Sequence, residues 1–187
     1  MAMQLLRLVL LVLALTLGGR ALAAPNNIAA ELVTEGPGQP GGTVWLAFAM
    51  KPAPGWHGYW RNPGDAGLGM STAWTLPPGA SAGDLAYPVP TTLLVSGLMN
   101  HVYKGAYAVL VPLRLPANAP ASARLPVAVE AQWLACTDTI CVPERARLET
   151  TVTVGKPASS AQFDRWRAAL PAPLGSDATF ALSDKGV

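Results

Sequence analysis

Two cysteines, Cys136 and Cys141, are the residues whose type and spacing best suit chemistry, and the sequence contains no others. The residues between them join two segments that have the composition of β-strands. Where a short turn joins antiparallel strands, directly opposed residues have Cα atoms about 4.5–5.5 Å apart, a distance that a disulfide tolerates. The spacing therefore predicts a cysteine pair at the end of a β-hairpin that can bond without movement of the backbone.

Such a disulfide has two interpretations, a structural one and a redox one. In the chain-entropy model, closing a loop of about six residues contributes only about 2 kcal/mol, against about 5 kcal/mol for a loop of about a hundred residues. A disulfide that closes only a short loop at an exposed hairpin end is typical of labile or catalytic disulfides. The segment is not the CxxC of a thioredoxin helix, and we expect Asp138 and Glu144 to raise the pKa of a thiol there. On the residues alone, both interpretations stay open.

Strand signals dominate residues 28–154, as short runs of β-branched and aromatic residues between Gly, Pro and Asn. Residues 43–50 are apolar on both faces, which predicts a central strand, whereas residues 145–154 alternate, which predicts one face in water. Seven short strands predict an all-β sandwich. The predicted strands are residues 29–34, 43–50, 56–61, 73–76, 103–115, 127–135 and 145–154.

A helical period follows the strands. Phe163, Trp166 and Leu170 recur on one face after a cap at Ser159 or Ser160, which predicts one short amphipathic helix that ends at Pro171. We assign residues 24–156 to one domain, and residues 157–187 to the helix, a linker and the start of a further strand at 179–182. That lone strand leads us to expect a fragment of a longer protein or a truncated homologue.

The N-terminus has the pattern of a cleaved secretory signal over residues 1–23. The apolar run of residues 8–17 is too short to span a bilayer, which needs about 20 residues, and a small-x-small site follows it at Ala21-Leu22-Ala23. Removing Arg7 and Arg20 leaves 11 of the 13 Lys and Arg residues, which balance 11 Asp and Glu residues. No basic cluster remains for a phosphate backbone, so nucleic acid is not an expected partner. Export also places the cysteines where disulfides persist.

One block and several later landmarks carry a family resemblance. The block reads Trp56-His57-Gly58-Tyr59-Trp60-Arg61-Asn62-Pro63-Gly64-Asp65-Ala66-Gly67, and Trp74, Tyr87-Pro88, Tyr103-Lys104-Gly105 and the stretch from Trp133 through Cys136 and Cys141 to Pro143-Glu144 follow it. Over residues 44–154 the sequence resembles the N-terminal periplasmic domains of DsbD/ScsB-type thiol:disulfide interchange proteins. The cysteine spacing is tighter than in the best-known DsbD domains.

The resemblance implies an immunoglobulin-like β-sandwich in the periplasm of a Gram-negative bacterium. Such a domain receives electrons from a membrane-embedded donor of the DsbD/ScsB type and passes them to oxidised periplasmic proteins, such as thioredoxin-like proteins or disulfide isomerases. It uses a redox-active disulfide and no cofactor. Cys141 would form the mixed disulfide and Cys136 would resolve it. The same family implies links to cytochrome c biogenesis and copper tolerance.

The resemblance also implies a cap loop over the cysteine pair. We assign this role to residues 62–67, the cap segment, because an Asn-Pro-Gly-Asp turn is compact and can sit against a hairpin end. The other side chains expected around the pair belong to the signature block and to the cysteine hairpin. They are Trp56, His57, Tyr59, Trp60, Trp133, Asp138, Pro143 and Glu144.

Other functions have weaker support in the sequence. A non-catalytic immunoglobulin-like binding module with a structural disulfide is one alternative. A copper-tolerance protein that binds metal directly through His57, His101 and the cysteines is another, but ligand spacings such as CxxC or HxxxH are absent, so we expect no metal site. No GxSxG motif supports a hydrolase. The tryptophans are expected in the sandwich core rather than on a sugar platform.

Overall fold

The structure is a computed structural model that describes residues 25–172. The predicted signal peptide at 1–23 and the predicted strand at 179–182 lie outside these residues. Within them, no helix has both the length and the apolar character that a membrane crossing requires. The elements in chain order are β1 (Ile28–Thr34), β2 (Thr43–Pro52), β3 (Gly58–Gly64), β4 (Ser71–Thr75), β5 (Ser81–Ala82), β6 (Thr91–Val95), β7 (Leu98–Tyr103), β8 (Tyr107–Arg114), β9 (Arg124–Cys136), β10 (Cys141–Thr153) and α1 (Ala161–Ala168).

Two sheets pack face to face around one apolar core. One has the strand order β1-β2-β8-β5 and the other the order β10-β9-β4. Alternate side chains of each sheet point inward and are buried. Burial of each large apolar side chain stabilises the folded state by about 1.5–3 kcal/mol. These core residues include Leu46, Phe48, Val109, Val111, Val127, Val129 and Trp133. The predicted sandwich is therefore confirmed.

The central position of β2 explains why both of its faces are apolar. Its inner face lines the core, and on its outer face Phe163 of α1, which is 1% exposed, packs on Ala47 and Leu110. Trp166 packs against the same cluster, so the predicted helix and its apolar face are confirmed. The predicted cap differs in detail, because Ser160 stands at the N-cap position without a side-chain hydrogen bond.

The predicted strand over residues 103–115 is wrong, because the chain changes sheets within it. β7 ends at Tyr103 and pairs with β3 and β6, whereas β8 begins at Tyr107 and pairs with β2. The hairpin of β6 and β7 was not predicted from the sequence. Its two turn residues, Ser96 and Gly97, have φ angles of 50° and 84°, the positive values that tight hairpin turns require.

A third sheet, of order β3-β7-β6, meets the sandwich at the end of β9. The connection is an isolated antiparallel bridge between His57 and Cys136. One cysteine of the pair therefore lies where the third sheet joins the sandwich, and the other lies on β10, at the edge of its sheet.

Candidate active site

Cys136 and Cys141 form a disulfide, and their Cα atoms are 4.1 Å apart. They are direct partners in the register of β9 and β10. The turn between them closes through its own hydrogen bonds: the N–H of Thr137 donates to the carbonyl of Ile140 over 2.8 Å, and the hydroxyl of Thr137 accepts from the N–H of Ile140 over 3.1 Å. The hairpin thus has bonds besides the disulfide that keep the two sulfurs opposite each other.

The backbone of each cysteine points in a different direction. The N–H of Cys136 donates to His57 over 3.1 Å and its carbonyl accepts from His57 over 2.8 Å, so both groups point toward β3. Because opposed residues in an antiparallel pair either share both hydrogen bonds or neither, the N–H and carbonyl of Cys141 point away from β9. Cys141 therefore presents its backbone at the outer edge of β10.

The two cysteines also differ sharply in exposure. Cys136 is 1% exposed and packs in a cluster with Tyr59 and Val102. Cys141 is exposed, and its neighbours Ile140 and Val142 are exposed apolar residues at 55% and 36%. A sulfur of another protein can thus approach Cys141 but not Cys136.

Strand parity explains the surroundings of the pair. Side chains alternate along a strand, so Cys136 and Leu134 point to the outer face of the sandwich while Ala135 and Trp133 point into the core. Pro143 is opposite Leu134 in the register and shares the outer face with Cys141. The disulfide thus lies on the outer surface of the sheet.

The cap segment is fastened to β7. The carboxylate of Asp65 accepts the N–H of Met99 over 2.8 Å, and the N–H of Asp65 donates to the carbonyl of Met99 over the same distance. Nearer its start, the carbonyl of Asn62 is 3.0 Å from Nδ1 of His101. These bonds hold the segment at both the Asn62 and Asp65 positions, with the half-buried Pro63 between them.

The cap segment reaches the disulfide through Tyr59. Gly67 has a φ angle of +102° and lies so close to the Tyr59 ring that a Cβ there would be 2.2 Å from Cε1. Tyr59 in turn packs against Cys136. The segment therefore covers the ring that covers Cys136, while Cys141 stays exposed in this structure. The role of residues 62–67 as a cap remains a prediction.

The aromatic residues of the signature block take different places. Trp56 is half-buried and packs against the main core, as do Trp60 and Trp74. Trp60 also meets the ring of His101 edge to face, at 5.6 Å between centroids, and Arg61 lies 5.8 Å above its ring. Trp60 of β3 thus packs the third sheet against the sandwich core, whereas Trp74 belongs to β4 of the sandwich itself and lies against Phe48.

Glu144 and Trp133 lie beside the pair in sequence, but the structure places their side chains on the opposite face. Glu144 is 6% exposed, and its carboxylate accepts hydrogen bonds from the backbone and side chain of Asn27, the N–H of Ile28 and Nε1 of Trp133. Glu144 therefore does not face the disulfide, and its carboxylate instead anchors the start of β1 to the hairpin. Nothing in the sequence pattern signalled these partners.

The ionisable residues near the disulfide are two aromatic ones, His57 and Tyr59, and two charged ones, Asp138 and Lys104. Burial lowers the pKa of His57, the nearby carboxylate of Asp138 partly opposes this shift, and Lys104 adds to it. Burial raises the pKa of Tyr59. At neutral pH the side chains over Cys136 are thus uncharged. Among residues 25–172, no three His, Cys, Asp or Glu side chains gather into a group that could hold a metal ion.

Comparisons with known proteins agree with this arrangement. Residues 29–153 match the family model described as thiol:disulfide interchange protein DsbD, N-terminal. The crystal structure of the N-terminal periplasmic domain of ScsB from Proteus mirabilis superposes with a TM-score of 0.62 at 20% identity, over 84% of this chain and 60% of that one. At this identity the likeness shows the fold, and it confirms the immunoglobulin-like sandwich with one short C-terminal helix.

Two other structures match less well. The yeast GGA1 GAE domain matches at a TM-score of 0.30 and 12% identity, over 72% of this chain and 96% of that one. BcpA, the major pilin subunit of Bacillus cereus, matches at a TM-score of 0.31 and 7% identity, over 68% of this chain and 39% of that one. A search of curated proteins finds no match. The family model covers most of the chain, including both cysteines, and the chain therefore belongs to the family of DsbD N-terminal domains.

Proposed function

We propose that this chain is a periplasmic thiol–disulfide exchange domain that relays electrons through Cys136 and Cys141 to oxidised proteins. The observation that carries the proposal is the asymmetric disulfide, in which Cys141 is exposed and Cys136 is 1% exposed. Exchange between proteins needs one sulfur that a partner can reach and a second that stays out of its way until the mixed disulfide has formed.

The reaction starts from the reduced pair. The Cys141 thiolate attacks one sulfur of a partner's disulfide, which forms a mixed disulfide and releases the partner's other sulfur as a thiolate. Cys136 then loses its proton and attacks the sulfur of Cys141. The Cys136–Cys141 bond forms, and the partner leaves with both sulfurs reduced. Two electrons have passed to the partner, and the reverse sequence with a reduced donor restores the dithiol.

The surface around Cys141 supports a protein as the partner. Ile140 and Val142 are exposed and apolar beside the reactive sulfur, and Cys141 lies on β10, an edge strand among residues 25–172. Family membership implies thiol-redox partners in general. We infer a membrane-embedded donor of the DsbD/ScsB type, and thioredoxin-like proteins or disulfide isomerases as acceptors. The cap segment, acting through Tyr59, would limit access to Cys136 until such a partner docks.

A redox titration in glutathione buffers tests the proposal. We expect the reduction potential of the pair to be distinctly less negative than about −300 mV, the region in which structural disulfides lie. A potential below about −300 mV would favour the alternative of a binding module whose disulfide only fastens the hairpin.

Matched cysteine variants test the direction of attack. Cys136→Ser retains the exposed thiol and should trap mixed disulfides in a periplasmic extract. Cys141→Ser retains only the buried thiol and should trap none. Equal trapping by both variants, or by neither, would contradict the roles assigned to the two cysteines.

A further inference from the structure

His57 stands in direct contact with the backbone of Cys136, and the exchange reaction does not yet account for its side chain. The two residues are opposed in an antiparallel bridge, and each donates its N–H to the other's carbonyl. Opposed residues have side chains on the same face, with Cβ atoms about 4.5–5.5 Å apart. The imidazole of His57 therefore lies beside the Cys136 side chain, on the face that carries the disulfide.

His57 is buried and has few charged residues near it. The residue is 3% exposed, and its ring meets Tyr59 edge to face at 5.4 Å between centroids. Tyr59 packs on Cys136, so the three side chains form one buried group. The charges that face it are Asp138 in the hairpin turn and Lys104 after β7, and burial is the larger influence on its protonation. At neutral pH the imidazole is uncharged, so one of its two ring nitrogens carries no proton.

The buried thiol needs such a group more than the exposed one does. Burial in apolar surroundings raises the pKa of a thiol above its ordinary value of about 8.5, and only the thiolate attacks a disulfide. Cys141 can lose its proton to water, because it is exposed. Cys136 is 1% exposed, so water does not reach it freely.

We propose that His57 accepts the proton of Cys136 when Cys136 resolves the mixed disulfide. This inference rests on the exchange function proposed above. The S–H bond of Cys136 breaks and its proton moves to the imidazole, while the resulting thiolate attacks the sulfur of Cys141. The bond between Cys141 and the partner breaks, and the partner's sulfur leaves with the electron pair. The imidazolium then gives the proton to that leaving thiolate, so no other reactant is needed.

The two steps can be watched separately with 5,5′-dithiobis(2-nitrobenzoate) as the probe. The reduced protein releases one coloured thiolate when Cys141 attacks and a second when Cys136 resolves the mixed disulfide. We expect His57→Gln, which keeps the size but cannot take a proton, to slow the second release at neutral pH by about 100-fold, the lower end of general base catalysis. The first release should not change. The first release is the control, because it takes place in the same molecule and does not need His57.

The pH profile separates proton transfer from loss of structure. In the wild type the rate of the second release should stay constant as the pH falls, until the pH reaches the pKa of His57. In His57→Gln the rate should begin to fall at a higher pH, because it then follows the fraction of Cys136 that is thiolate. An unchanged second release, or an equal slowing of both releases with the wild-type pH profile, would overturn the proposal.

Wild-type protein supplies a second measurement if His57→Gln does not fold. In the reduced protein the ring-proton shifts of His57 should change a second time as the pH rises through the titration of Cys136, because a thiolate then forms beside the ring, and the oxidised protein should lack this second change. Identical titration curves of His57 in both states would overturn the proposal. Failure of the function is distinguishable, since the wild type would then complete both releases with the probe yet exchange with no protein disulfide.

Discussion

Replacing Glu144 with glutamine should destabilise the fold strongly and leave the redox pair unchanged. Each carboxylate oxygen accepts two hydrogen bonds, one oxygen from the backbone and side chain of Asn27, the other from Ile28 and Trp133. In Glu144→Gln one oxygen becomes an NH2 group that faces two donors. A bond to a charged acceptor contributes about 1.5–3 kcal/mol, so losing two lowers the free energy of unfolding by about 4 kcal/mol.

Urea denaturation of the oxidised protein, followed by tryptophan fluorescence, measures this loss. In a thermal melt of the same protein, the melting temperature of a domain of this size should fall by roughly 10 °C. Glu149→Gln is the control, because the Glu149 side chain is 65% exposed and its pair with Arg147 contributes less than about 1 kcal/mol. The reduction potential should match the wild type, because the carboxylate of Glu144 lies on the other face of the hairpin. A shifted potential in a variant of normal stability would refute this reasoning.

Three further predictions concern the cover over the disulfide. Gly67→Ala should destabilise the protein by about 1–3 kcal/mol and speed reduction of the disulfide by dithiothreitol, because the added methyl group displaces the Tyr59 ring. Gly97→Ala is the control: a Cβ there meets nothing within 4 Å, so this variant should lose stability only through backbone strain and be reduced at the wild-type rate. Since burial lowers the pKa of His57 below its unfolded value of about 6.5, the free energy of unfolding should fall as the pH drops below that value, and His57→Gln should remove this slope in denaturation curves. In the reduced protein, iodoacetamide should modify Cys141 well before the other thiol, as mass spectrometry of time points would show.

The parts of the fold that the sequence predicts depend on local patterns. Alternation identified the central strand at residues 43–50 and the strand at 145–154 with one face in water, because each pattern reports how many faces of a strand are buried. The opposed cysteines were predicted for a similar reason, since a short turn between two strands leaves few registers. Helix α1 followed from the spacing of Phe163 and Trp166.

The remaining features depend on contacts between distant parts of the chain. The carboxylate of Glu144 is satisfied by Asn27, which is 117 residues away, and no pattern around Glu144 reports that partner. The bridge of His57 to Cys136 likewise joins two sheets. The β6–β7 hairpin was missed because its Ser96-Gly97 turn signal lies in a region of weak alternation, where the chain joins a small third sheet instead of the sandwich.

The short spacing between the cysteines affects the length of the turn but does not affect how Cys136 and Cys141 oppose each other. The register of β9 and β10 runs unbroken from the cysteines to the far ends of both strands, at Arg124 and Thr153. The buried side chains of both strands hold that register, because a slip by one residue would turn every one of them to the other face. Extra residues between the cysteines would therefore lengthen the loop and leave Cys136 opposite Cys141. The chemistry of the pair depends on strand parity, which keeps both sulfurs on the outer face and Glu144 on the inner one.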